Sequence, residues 1–322
     1  MTVEQAMRFL TRGALAAGFV SLCIAPPLAA AADDEAAAAE AAWQVEIAKT
    51  PAPAEGCYEA DFPNLQWAAV ACTVAPARPF VPRTGTLRGD TVGDGHDYAA
   101  GVTSGLIASA TGSFPMVKGV TSETDGGANR YSIQLNSNFM NTAVCNGHSG
   151  CLAWLQYVYS SGERAAFMQT WLINWNAACP GGWFTFSNDC YRNSAAVSVP
   201  QEPIKKLKKM QMNGTATANG NDVLVFTVGK KAYRTQGSDT VVDLASGWNA
   251  SEFNIIGDGG GSQANFNSGS KMTVEIQVNN GTGNAPVCQS DAGTTGETNN
   301  LNLGSCTANG GATPNIQFTQ SN

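Results

Sequence analysis

The sequence predicts an all-β protein, an antiparallel β-sandwich with a loop-rich N-terminal region, and three observations carry that expectation. From Asn129 onward, about ten short apolar or alternating runs follow one another, separated by Gly, Asn and Ser turns. Helical periodicity is almost absent from the same stretch. Eight cysteines beyond residue 32 fall as near neighbours, which in an exported chain reads as disulfides. Many short strands with regular turns indicate a sandwich or a barrel. One undivided domain over 129–322 is an ordinary size for such a fold.

Residues 1–32 read as a secretory signal, which implies a secreted, periplasmic or extracellular protein. Arg8 and Arg12 precede the apolar run GALAAGFVSLCIA and the small-residue tract PPLAAAA, supplying charge, core and cleavage site. Met7 would begin a more compact version of the same signal. Cys23 makes a poor lipid acceptor, because bulky Leu22 stands where such signals keep a small residue. No later apolar run reaches the roughly 18 residues of a membrane span. Of 18 basic and 25 acidic residues the signal holds Arg8, Arg12 and Glu4, leaving 16 against 24, a net charge of −8. That sign argues against nucleic acid and anionic membranes as partners, since both need clustered Lys and Arg. The one basic run, Lys205–Lys209, reads as a solvated turn or the guard of an edge strand.

Residues 33–56 form a helical or flexible lead-in, or a pro-segment: DDEAAAAEAAWQVEIAKT is alanine-rich with acids in its first turn, and PAPAEG ends it. Residues 57–128 read as a loop-rich, extended region packed on the sandwich, from the Pro and Gly punctuation in APARPFVPRTG and VGDGHDYAAG. In the sandwich, RYSIQLNSN sets Tyr131, Ile133 and Leu135 on one face and Ser132, Gln134 and Asn136 on the other. LAWLQYVYS, AAFMQTWLINW, GWFTFS, AAVSVP, NDVLVFTVG, DTVVDLA, EFNIIG, KMTVEIQV and NIQFTQ continue the strand pattern. Neighbour pairing of the cysteines, Cys57 with Cys72, Cys145 with Cys151, Cys179 with Cys190 and Cys288 with Cys306, closes four short loops; sequence alone does not fix it. Zinc is disfavoured, because the spacings lack the two-residue gap of zinc knuckles and only His96 and His148 could assist.

The candidate sites are few. GDGGGS lacks the Gly-Lys-Ser/Thr ending of a phosphate loop and reads most simply as a tight reversal with positive φ. No cofactor is expected, although Asp258, Asn265 and Asn267 could offer oxygens to calcium. A serine triad through His96 has no Gly-x-Ser-x-Gly elbow to support it. Glu252 opens an otherwise apolar strand, where a carboxylate at a cleft edge acquires a raised pKa. Trp154 and Gln156 share a face of one strand, and Phe167, Gln169, Trp171, Ile173 and Trp175 share a face of the next. Aromatic rings flanked by amides suit sugar rings or an extended peptide; the alternative is plain sandwich core, which buried glutamines would strain.

At YSIQLNSN, CLAWLQYVYSS, AAFMQTWLINW and CPGGW the order of strands and aromatics resembles the neprosin-type and related glutamic peptidases. The resemblance covers about residues 129–183 and lies in spacing and aromatic character. It implies a secreted sandwich of concanavalin-like, jelly-roll form with a pair of acidic or amide residues in a cleft. One departure stands out: the family's glutamate before the second-strand tryptophan is missing from GCLAW, where Cys151 lies instead. A Gln–Glu pair could be rebuilt from Gln156 or Gln169 with Glu252, the carboxyl working on a water and the amide on the oxyanion. The remainder of the chain resembles secreted bacterial proteins of no assigned function.

Three functions are therefore expected in order. The first is a binder of extracellular polymer, polysaccharide before polypeptide, through Trp154, Trp171, Trp175, Gln134 and Asn136. The second is a glutamic-type endopeptidase using Glu252. The third is a structural envelope or matrix protein.

Overall fold

Side-chain alternation governs how the strands stack. In the computed structural model, which describes residues 28–83, 85 and 91–322, the chain divides into a unit ending at Ala38 and a unit from Ala39 to Asn322. Most of the expected signal, through residue 27, lies outside the described residues. The helix expected over 33–50 is present as Leu28–Lys49. Within the second unit, Trp43 and Ile47 are buried against Tyr58, Ala60 and Trp67.

The second unit is a β-sandwich. Among the described residues one sheet has twelve strands and the other ten. The larger runs through Met210–Thr215, Ser109–Lys118 and Lys271–Asn279 as neighbours. The smaller orders its main strands as Phe184–Phe186, Asp189–Asn193, Ala165–Ile173, Leu152–Ser160, Ser132–Ser137, Ala250–Ile256, Ala99–Gly101 and Val287–Gln289. Its pairings are antiparallel throughout. Between the sheets lies one core in which Leu135, Leu155, Tyr157, Met168 and Phe253 of the smaller sheet meet Phe114, Met212, Phe226 and Val274 of the larger.

Two expectations of local structure change. Residues 57–128, read as loop-rich, supply strands to both sheets, including the ten-residue Ser109–Lys118 at the centre of the larger one. Gly112 and Pro115 hide that strand, because both residue types are depleted from sheets. Conversely DTVVDLA forms two 3₁₀ turns, Asp239–Val241 and Leu244–Ser246. Asp239 holds them, its carboxylate accepting from the N–H groups of Asn219 (3.1 Å) and Ala245 (2.9 Å), a local bond that competes with a strand ladder. Lys205–Lys209 falls in the 3₁₀ helix Ile204–Lys209, with Lys206 paired to Glu202 at 2.7 Å.

All four neighbour disulfides form: Cys57–Cys72, Cys145–Cys151, Cys179–Cys190 and Cys288–Cys306. Such bonds persist in oxidising compartments. No described helix is long and apolar enough to cross a membrane.

Candidate active site on the outer face of the smaller sheet

The central strands of the smaller sheet are buried on both faces. Ser132–Ser137 and Ala250–Ile256 have no exposed residue, so the side chains pointing away from the core are covered as well. On that outer face register aligns a polar row across the strands: Glu252 opposite Asn136, Asn136 opposite Gln156, Gln156 opposite Gln169, and Gln169 opposite Asn193. Period-two alternation puts these residues on one side while Leu135, Phe253 and Met168 turn into the core.

Hydrogen bonds join the row. Asn136 Nδ2 donates to Glu252 Oε2 (3.1 Å) and to Gln134 Oε1 (3.3 Å). Gln156 Nε2 donates to the same Gln134 oxygen (3.0 Å). Trp171 Nε1 bridges Gln156 Oε1 (3.2 Å) and Gln169 Oε1 (3.1 Å). The amide beside Glu252 is thus Asn136. Gln156 and Gln169, the expected partners, lie one and two strands further along and reach the acid only through Asn136 and Gln134.

Glu252 is held by more than Asn136. Its Oε2 also accepts from the Thr294 N–H (2.7 Å), Thr294 Oγ1 (2.8 Å) and the Thr295 N–H (3.3 Å). Its Oε1 has no donor among the described residues, and neither does Oδ2 of Asp97. Glu252 lies close enough to Asp97 to act on its titration, and two carboxyl groups can hydrogen-bond to each other only when one of them carries a proton. Burial, then the Glu252 charge, raises the Asp97 pKa well above the ordinary range, against the Asn254 amide, whose Nδ2 donates to Asp97 Oδ1 at 2.6 Å. Two carboxyl groups set this close in a buried site cannot both ionise cheaply. Gly293 lets the covering loop close on them: a Cβ there would lie 2.9 Å from both Asp97 Cβ and Glu252 Oε1.

A third buried acid, Glu297, stands behind the cover. It accepts from Thr295 Oγ1 (2.5 Å), Gln134 Nε2 (3.3 Å) and the N–H groups of Val81 (2.9 Å) and Gly261 (3.0 Å). Burial raises its pKa while these donors pull it back. Asp97, Thr294 and Glu297 escape sequence reading because they sit in the turn-rich stretches GDGHDYAAG and TTGETNN, with no strand pattern to place them. His96, the more conspicuous neighbour, turns instead to Asp291 at 2.8 Å.

The tryptophans do not form an open platform. Trp154 and Trp171 are fully buried with Tyr191, their rings 6.3 Å apart and tilted by 42°. In this form neither ring is open to a sugar. Trp175 lies apart, stacked on His148 at 3.3 Å beside the Cys145–Cys151 and Cys179–Cys190 bridges. GDGGGS does make the expected reversal, with Gly259, Gly260 and Gly261 all at positive φ. Of the oxygens considered for calcium, those of Asp258 and Asn267 have protein partners, while Asn265 bonds through Nδ2 to Thr124 O and Gln263 O. Asp258 accepts from Ser160 (2.6 Å) and pairs with Arg130 (3.3 Å), and Asn267 Oδ1 accepts from the N–H groups of Thr121 (2.8 Å) and Ser122 (3.0 Å).

No family model and no curated protein matches the chain. Weakly similar solved structures include SCP-B, a member of the eqolisin family of peptidases, in complex with the tripeptide Ala-Ile-His. It is 12% identical, with a TM-score of 0.27, and the match covers 69% of this chain and 97% of that one. Another is scytalido-glutamic peptidase with a peptide-based transition-state analogue, 14% identical with a TM-score of 0.24, covering 70% and 98%.

Proposed function

We propose that the protein is a secreted endopeptidase of the glutamic type, closed in the form described, with Glu252 as its catalytic carboxylate and Asp97 as the acid that shares its proton. The observation that carries this reading is the buried Asp97–Glu252 pair, set at one end of a face whose amides already hold extended backbone. That second property favours polypeptide over polysaccharide.

Once the Thr294–Thr295 cover opens, the free Glu252 Oε1 takes a proton from a water. The water oxygen bonds to the scissile carbonyl carbon, and the C–N bond then breaks. The proton held by the carboxyl pair passes to the departing nitrogen, leaving a new carboxyl and a new amine. Asn136, the amide bonded to Glu252, can give one Nδ2 hydrogen to the developing oxyanion on releasing Gln134 Oε1, while Gln156 and Gln169 lie one and two strands further off. General acid–base help of this kind is worth about 10² to 10⁴ in rate.

The test is cleavage of a denatured protein by the purified chain from about pH 3 to 8, a range chosen to span the carboxyl and imidazole pKa values. The expected result is peptides that appear at acid pH and are lost in Glu252→Gln. A polymer binder would bind without turnover and keep most of its affinity in Glu252→Gln. No cleavage at any pH by a protein whose cover has been loosened would end the peptidase reading.

A further inference from the structure

A segment of the chain lies across the outer face much as a bound peptide would. Ala75–Arg83, APARPFVPR, carries proline at every third position, the spacing of polyproline II, a conformation with no internal hydrogen bonds. The segment belongs to no strand, and its β pairing among the described residues is an isolated bridge from Pro82 to Thr295. Its backbone groups are nonetheless taken up one after another. Asn193 Nδ2 donates to Pro76 O (2.8 Å), Tyr191 Oη to Ala77 O (3.3 Å) and Gln169 Nε2 to Arg78 O (2.9 Å). The Gly260 N–H donates to Pro79 O at 2.7 Å. The Phe80 N–H donates to Gln169 Oε1 (2.7 Å) and the Val81 N–H to Glu297 Oε1 (2.9 Å). Gly296 N–H to Val81 O (2.7 Å) and Arg83 N–H to Thr294 O (2.8 Å) complete the series.

Most of these partners are side chains or loop groups that a strand ladder would not need. Gln169 is instructive, donating to one peptide group and accepting from another two residues on. The only fully buried side chain of the segment, Phe80, enters an apolar pocket of Val158, Ala165, Phe167 and Ala196, with its ring 5.9 Å from that of Phe167. Main-chain bonds plus one side-chain pocket are how proteins read extended peptides. The last contacts fall on Thr294 and Gly296, in the same loop whose Thr294 and Thr295 cap Glu252.

We infer that the outer face is a cleft for an extended polypeptide with an aromatic residue at the Phe80 position, and that Ala75–Arg83 is its intramolecular occupant, latching the loop over Glu252. This deepens the peptidase reading of the same face, but binding is separable from turnover. Release of the strap frees Gln169, Asn193 and the Phe80 pocket for a substrate and removes two contacts that hold the Thr294–Thr295 cover down.

The experiment uses the full chain and a fluorescent peptide of sequence APARPFVPR, followed by anisotropy. An occupied cleft reduces apparent affinity by the fraction of time it is open. Phe80→Ala, which empties the pocket without altering its walls, should bind the peptide about 10- to 100-fold more tightly than the parent, the scale set by burying one Phe side chain. Phe80→Ala with Gln169→Ala should lose that gain. Amide exchange at Phe80, Val81 and Arg83 in the parent chain is a second readout independent of any variant. These amides should exchange faster when excess peptide is added, while those of Ser132–Ser137 do not change. Equal, unsaturable binding by parent and Phe80→Ala, with strap amides unmoved by peptide, would overturn the inference. Tight binding without cleavage would keep the cleft and remove the peptidase reading; cleavage of protein by a chain that never binds the peptide would remove the cleft and keep Glu252.

Discussion

The two sheets of the sandwich present opposite outer faces. In the larger sheet, Lys271–Asn279 alternates buried with part-exposed residues, the pattern of a sheet with one wet side. In the smaller sheet the outer residues are as buried as the inner ones, yet they are Gln134, Asn136, Gln156, Gln169 and Glu252. A buried surface made of amides and acids is costly unless every group finds a partner. Here the row's own side chains, a strap and a loop provide those partners, and the few oxygens of this face left over among the described residues, on Asp97, Glu252 and Asn136, gather at one spot. The difference sets the outer face of the smaller sheet apart as the candidate site.

Substitutions can sharpen that contrast. The largest effect falls on the outer face: Glu252→Gln should lower the hydrolytic rate by about 10² to 10⁴, read from peptide release, with the near-ultraviolet spectrum of the fold kept. Next comes the inner face. Phe253→Ala, whose buried ring packs 5.1 Å from that of Phe114, should cost about 3 to 5 kcal/mol in denaturant unfolding.

A smaller effect concerns pH. Asp97 is raised well above its ordinary value, and burial lifts Glu123 and Asp222 to about 8 each. A carboxyl raised on folding makes the native state hold more protons than the unfolded one. Its stabilising contribution is therefore full below the ordinary carboxyl range and lost as pH rises through the folded value. Melting temperature should fall from about pH 4 toward pH 8, and the fall should be shallower in Asp97→Asn. The smallest effect is on the wet side of the larger sheet: Thr273→Ala should change stability by no more than about 0.5 kcal/mol.

The strand pattern of the smaller sheet was legible because alternation survives in RYSIQLNSN and AAFMQTWLINW even when both faces are buried. Glu252 was legible for a related reason, as a charge at the start of an apolar strand. Its partners were not, since Asn136 becomes a neighbour only through register between strands 116 residues apart, and Asp97 and Thr294 arrive from turns. The strap was read only as part of an extended, loop-rich region packed on the sandwich, because proline spacing tells of extended chain but not of what lies beneath it. The tryptophans were placed on the right face, but sequence gave no sign that the chain itself would cover them.

The proposed chemistry requires Asp97 and Glu252 to share a single proton at a pH where exposed carboxyls have lost theirs. Infrared difference spectra of the parent chain against Asp97→Asn at about pH 6, well above the ordinary carboxyl range, test it directly. A protonated-carboxyl band present in the parent and missing from the variant is the predicted result. Identical spectra in the carboxyl region, with both groups ionised, would contradict it.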